Sequence, residues 1–173
     1  ISLGTMVANL SSHKRGWDDR WEEFSNIAEK GQELIKKLLD LVDKDTESFN
    51  QIMQAFRLPD NDTKERKIKE KAILKATIHA IEVPLEIMKT SLESMDIIKE
   101  MAKNGNPNSV SDAGVGALCA RTAVLGAFLN VKINCGDYKD KKFVQDILKK
   151  GKDIIKETTK LENQILEITQ SKI

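Results

Sequence analysis

Cysteine, proline, glycine, histidine and aromatic residues are all scarce in this chain of 173 residues, which has two Cys, three Pro, nine Gly, two His and 5% aromatics. Cys119 and Cys135 fall in what reads as one helix, about 24 Å apart along its axis, too far for a disulfide. Both are read as core thiols of a reducing compartment. His13 and His79 stand alone, with no paired His or Cys spacing, so no metal site is expected; each is read as a surface or satisfied histidine. No nucleophile elbow, phosphate loop or dinucleotide fingerprint is found. The formal net charge is only +1, with bases interleaved among acids, which gives no field for nucleic acid. No apolar run is expected to reach membrane-spanning length, and no charged-then-apolar leader is read at the start. Neither a nucleic-acid nor a membrane partner is expected.

What is present is helix. Hydrophobic residues make up 40% and charged residues 32%, a globular balance, and the apolar positions recur at 3.6-residue spacing with no strand-like alternation. The breakers cluster at a few places and divide the chain into five helices. The first runs from Ile1 to about Ser12. Trp17 to Phe56 reads as one very long helix, about 60 Å, with a seam through Trp17, Trp21, Phe24, Ala28, Gly31, Ile35, Leu38, Val42, Asp45, Phe49, Ile52 and Phe56. Arg57-Leu58-Pro59 stops it. Asp62 then caps a second long helix, with Glu65 reaching back, and that helix is expected to kink between Ala80 and Pro84. Asn104 to Ser109 is a loop, and Ser109 or Ser111 can cap a fourth helix, Asp112 to Asn134, rich in Gly and Ala. Gly136-Asp137 ends it, and Asp140 caps the last, Lys141 to about Thr169. The fold class is therefore all-α, a single domain over 1–173 with two helices too long for a compact monomer.

Several polar residues sit where apolar ones would be easier. Asp45 occupies the seam between Val42 and Phe49, where a carboxylate needs a partner; it is either a buried ion pair or a chemical group. Asp112, with Ser111, lies in the first turn of the fourth helix, where a carboxylate suits the dipole and where anions also bind. Asn130 and Asn134 lie one turn apart on the small-residue stripe of Gly116, Ala123 and Ala127, so they either tie helices together or read a ligand. Asp112 and Asn130 share a helical phase but stand about 27 Å apart. Lys14-Arg15 at a break, and Arg57 at a helix C-terminus, are either solvated or able to hold a carboxylate tail.

Leu3-Gly4-Thr5-Met6-Val7, Leu41-Val42-Asp43-Lys44-Asp45 with Phe49, Arg57-Leu58-Pro59, Val83-Pro84-Leu85, Ser111-Asp112 and Gly126 to Asn134 follow one another in a pattern that resembles the cyclodeaminase domain of the formiminotransferase-cyclodeaminase family. The resemblance implies an all-helical, cytoplasmic enzyme that dimerises or forms a higher homo-oligomer, with sites at or near subunit contacts. It also implies ammonia loss from 5-formimidoyltetrahydrofolate to give 5,10-methenyltetrahydrofolate, as in histidine breakdown, with no cofactor beyond the tetrahydrofolate substrate. Methenyltetrahydrofolate cyclohydrolase is the second activity it implies. The family's glycine-rich segment before the first helix is expected to be missing here. Laid over these matches, Asp45 is the first candidate proton carrier and Asp112 the second, either as proton carrier or as a hydrogen-bonding partner for the pterin. Ser111, Asn130 and Asn134 would orient the substrate, while Lys14, Arg15 and Arg57 would hold its glutamate tail. The competing class is a non-enzymatic helical oligomerisation module.

Overall fold

The computed structural model describes residues 1–136 and 138–173, and these fold into five α-helices with two short 3-10 turns and no strand. The helices are α1 (Ser2–Ser12), α2 (Trp21–Phe56), α3 (Thr63–Asn104), α4 (Val110–Asn134) and α5 (Lys141–Gln170). The capping chemistry sets the boundaries. Asp62 accepts the Glu65 amide at 2.7 Å, and Glu65 reaches back to the Asn61 amide at 3.0 Å. Asp140 accepts the amides of Lys142 and Phe143, both at 3.0 Å. The expected break at Gly136-Asp137 follows α4, but Asp137 lies outside the described residues.

α3 is the spine of the bundle, with α2 on one side and α4 on the other, while α5 packs on α3 and α4. α1 sits against α2, α3 and α4; Gly4 lies so close to α3 that a Cβ there would be 3.1 Å from Ile98 Cγ1. Three apolar clusters follow. Val7, Ala8, Phe24, Ala28 and Met101 join α1 to α2 and α3. Met95, Ile98, Ala117 and Ile165 hold the middle, and Ile81, Met88, Val124, Phe128 and Ile147 hold the end where α5 begins. The loop after α3 is fastened to α1: the Asn106 amide donates to the buried Ser11 Oγ at 2.7 Å, and that hydroxyl donates to the Val7 carbonyl at 2.6 Å.

Four expectations change. Trp17 does not open α2: Gly16 takes a left-handed φ of +84°, a 3-10 turn spans Asp18–Arg20, and Trp17 folds back to stack on Phe24 at 5.5 Å. The α2 seam is buried through Phe24, Ala28 and Gly31 and then only half-covered: Ile35, Leu38, Asp45 and Ile52 are half-buried, while Val42, Phe49 and Phe56 are 59%, 62% and 55% exposed. The buried positions are the neighbouring ones, Leu34, Leu41, Ser48 and Ala55; of these Leu41 and Ala55 border hollows shared with α3, Ala55 beside the small Ala76. Cys119 is exposed, and only Cys135 is a core thiol. Finally, Pro107–Asn134 contains a window of mean hydropathy 1.5, long and apolar enough to cross a membrane. In this fold the helix packs one side on α3 and α5, with 44% of that window buried, and Arg121 within it pairs with the buried Glu162 of α5 at 3.0 Å.

Candidate functional site

The sequence-predicted residues do not converge within one chain. Asp45 is half-buried on α2, between the buried Leu41 and Ser48, and forms no ion pair among the described residues. Asp112 is half-buried and Ser111 exposed at the start of α4, while Asn130 is exposed near its other end. The small-residue stripe is only partly the packed face, since Gly116 and Ala127 are buried but Ala123 is exposed; Gly126, off that stripe, is also exposed, and a Cβ there would meet nothing within 4 Å. Lys14 lies with its Nζ 4.0 Å above the Trp17 ring, and Arg15 and Arg57 are exposed.

Asn134 has a structural partner. Pro84 stands inside α3 without ending it, and its missing N–H leaves the carbonyl four residues back, at Ala80, without a helical donor. Ala80 is 3% exposed, so water does not reach it readily. Asn134 Nδ2 donates to that carbonyl at 2.6 Å across from α4.

The concave feature richest in chemistry lies where α2, α3 and the start of α5 meet, a hollow of about 460 Å³. Leu41, Val83, Leu85, Phe143 and Ile147 supply apolar lining. Lys44, Lys89 and Lys150 come from three different helices, and His79, Glu82 and Glu86 from one face of α3. Spacings of three and four residues bring those three to a common side of the helix. Glu86 is committed: Lys37 Nζ lies 3.0 Å from it and Lys89 Nζ 3.1 Å, and hydrogen bonds from these two ammonium groups hold its carboxyl below the ordinary glutamate value. Lys44, Lys150 and Glu82 form no ion pair among the described residues. His79 and Glu82 also border an adjoining hollow of about 380 Å³ with Gln51, Lys75 and Ile78, so the pair stands between two openings. A hollow of about 450 Å³ between α1 and α2 has His13 as its sole titratable side chain and no acid to pair with it.

Sequence reasoning read His79 as a surface or satisfied histidine and did not single out Glu82. The available signal was a His-x-x-Glu step beside a helical proline. Which way that step faces depends on where α5 arrives, and local periodicity does not record that.

Residues 1–153 match the family model described as formiminotransferase-cyclodeaminase. The chain belongs to that family. This cyclodeaminase-family chain is similar to a methenyltetrahydrofolate cyclohydrolase of Methylorubrum extorquens, 31% identical over 172 residues, which cover 99% of the chain and 83% of that protein. It is also similar to the formimidoyltransferase-cyclodeaminase of Gallus gallus, 32% identical over 142 residues; these are 82% of the chain but span only 26% of that longer relative. Among solved structures, formiminotetrahydrofolate cyclodeaminase from Thermotoga maritima superposes with a TM-score of 0.83 over 98% of the chain and 81% of that structure. At 24% identity this likeness establishes the all-helical cyclodeaminase fold. The family is thus one of folate-acting enzymes, with cyclodeaminases and cyclohydrolases among the relatives.

Proposed function

We propose that the chain is a 5-formimidoyltetrahydrofolate cyclodeaminase that binds its substrate in the hollow between α2, α3 and α5. One observation carries the choice of site: an apolar lining, lysines from three helices and a His-x-x-Glu face meet in one concavity. Folate has the matching parts, a flat ring system for an apolar wall and a carboxylate tail for ammonium groups. In the reaction, folate N10 attacks the formimidoyl carbon carried on N5, and the resulting tetrahedral centre expels its amino nitrogen as ammonia. N10 loses a proton and the leaving nitrogen gains one, so a group that can pass a proton between them accelerates the step by about 10²–10⁴-fold. His79 and Glu82 are assigned that transfer, and Lys44 and Lys150 the tail. Asp45, next along α2 from Lys44, is the rival proton carrier. The cyclohydrolase reading has support of its own in the Methylorubrum extorquens relative, which the chain matches over 99% of its length. There water attacks the methenyl carbon, and the proton demand at the same tetrahedral centre is similar.

An absorbance assay that follows the methenyl chromophore, with 5-formimidoyltetrahydrofolate in one cuvette and 5,10-methenyltetrahydrofolate in the other, separates the two activities. Glu82→Gln and His79→Asn are each expected to lower kcat about 100-fold or more while the circular dichroism spectrum remains helical. Normal turnover in both variants, with loss in Asp45→Asn, would move the chemistry to α2.

A homodimer is proposed with this function. Of the fifteen exposed large hydrophobics among the described residues, twelve lie on α1, α2 and α4, and eleven of these form stripes: Met6 and Leu10, then the α2 stripe from Leu39 to Phe56, then Val115, Leu118, Leu129 and Ile133. α1 touches both α2 and α4 and so bridges the two helices that carry the other stripes. At about half exposure each side chain leaves roughly 50 Å² of apolar surface in water, about 550 Å² together. A standard interface takes about 800 Å² per partner, some 60% of it apolar. A second copy of the chain fits that requirement, and Val42→Lys with Leu129→Lys is expected to leave a monomer by sedimentation. A parent chain that is monomeric at micromolar concentration would end the dimer proposal.

A further inference from the structure

The Asn134–Ala80 contact lies directly behind the residues assigned to proton transfer. Ala80 is the residue after His79 and two before Glu82, and Val83 and Leu85 of the same turn line the hollow. A helix interrupted by proline has lost the bond that would fix this turn, and its free carbonyl is buried. The missing donor comes from 54 residues away, at the last residue of α4. That end of α4 is itself held firmly. Cys135 is buried in the cluster with Ile81 and Leu85, and Tyr138 packs against Phe143, a wall of the hollow, with ring centroids 5.1 Å apart.

We infer that Asn134 is a positioning residue: by satisfying the carbonyl that Pro84 frees, it fixes the turn of α3 that aims His79 and Glu82 into the hollow. Asn134 then touches no substrate, in contrast to the substrate-orienting role that the family resemblance implied for it. The inference rests on the hollow being the active site, and the test separates the two claims.

The decisive property is that the protein could supply the same hydrogen bond in another way. Alanine at position 84 restores a backbone N–H four residues after Ala80, and the helix can then close on itself. Three variants follow: Asn134→Leu, Pro84→Ala, and the two combined. Asn134→Leu leaves a buried carbonyl unpaired. It is expected to lower kcat about tenfold with little change in KM, and to shift the His79 ring resonances in a ligand-free heteronuclear NMR spectrum. In the double variant both should return, kcat to within about twofold of the Pro84→Ala single variant and the His79 resonances to its positions. Should Asn134→Leu fail to fold, the double variant decides alone, since it no longer needs the amide. A double variant that folds but keeps the lowered kcat of Asn134→Leu would show that Asn134 acts on substrate and would overturn the inference, as would His79 resonances indifferent to Asn134→Leu. If the resonances shift and recover while turnover is normal throughout, including in Glu82→Gln, then the hollow is not the active site and the bond upholds only the shape of α3.

Discussion

Gly151→Ala tests the packing on which the hollow depends. Gly151 is buried in the middle of α5, opposite the Phe128 ring of α4. A Cβ there would lie 2.6 Å from Phe128 Cδ2 and closer still to Cε2. Ordinary contact needs roughly 3.5–4.0 Å between carbons, so the ring must move by about 1 Å. Phe128 has little room to do so, being packed in the cluster with Val124, Val131 and Ile147. Overpacking of this kind costs about 1–3 kcal/mol, against a gain of about 1 kcal/mol from replacing a mid-helix glycine. The net expectation is a loss of about 1 kcal/mol, a fall in Tm of roughly 2–4 °C for a chain of this size. Gly126→Ala is the matched control, because its Cβ meets nothing within 4 Å. Measured by thermal melting in dilute solution, where copies do not associate, it should gain about 1 kcal/mol. A Gly151→Ala melting point raised as much as that of Gly126→Ala would refute the account of close α4–α5 contact.

In dilute solution, where copies do not associate, thiol reagents should label one cysteine quickly and the other only on unfolding. Cys119 is exposed, whereas burial keeps Cys135 out of reach and pushes its thiol up from the ordinary value of 9.0; fast modification of both would contradict the packing at the end of α4. Glu86 supplies a pH dependence. Its folded value is lowered from the ordinary 4.5 by hydrogen bonds from Lys37 and Lys89, so its contribution is present above 4.5 and is lost as pH falls through the lower folded value. Denaturant titrations of Glu86→Gln and the parent should therefore differ at neutral pH and converge in acid, by a small amount because the group is partly solvated. A difference that widens as pH falls would reverse the sign of the argument.

The helix boundaries other than the start of α2 were legible because they are local. Pro59, the Asp62 and Asp140 caps and the Gly105–Pro107 break each act within a few residues. Faces were harder, because a face is chosen by its neighbour. On α2, two stripes share the same seven-residue spacing, Leu34–Leu41–Ser48–Ala55 and Ile35–Val42–Phe49–Phe56. The second is the more hydrophobic, yet the first is the buried one. α4 is apolar nearly all round, so its periodicity does not distinguish a core side from a bare one. Its glycines divide accordingly: a Cβ on Gly114 would be 3.1 Å from Thr169 and one on Gly116 3.6 Å from Leu3, while Gly126 faces open space. Asn134 was correctly singled out as a polar group in need of a partner, but the partner became identifiable only once α4 was laid beside Pro84. The hollow itself is made by α5 arriving across α2 and α3, an arrangement with no local signature.

The link between Ser11 and the Asn106 amide makes the first helix a latch. An eleven-residue helix is marginal by itself and depends on its dock against α2 and α3. When it lifts away, the Asn106 amide loses its acceptor and meets solvent in the same event. Deuterium uptake at that one amide would therefore count how often the N-terminal part of the bundle opens, without a probe being added to the protein.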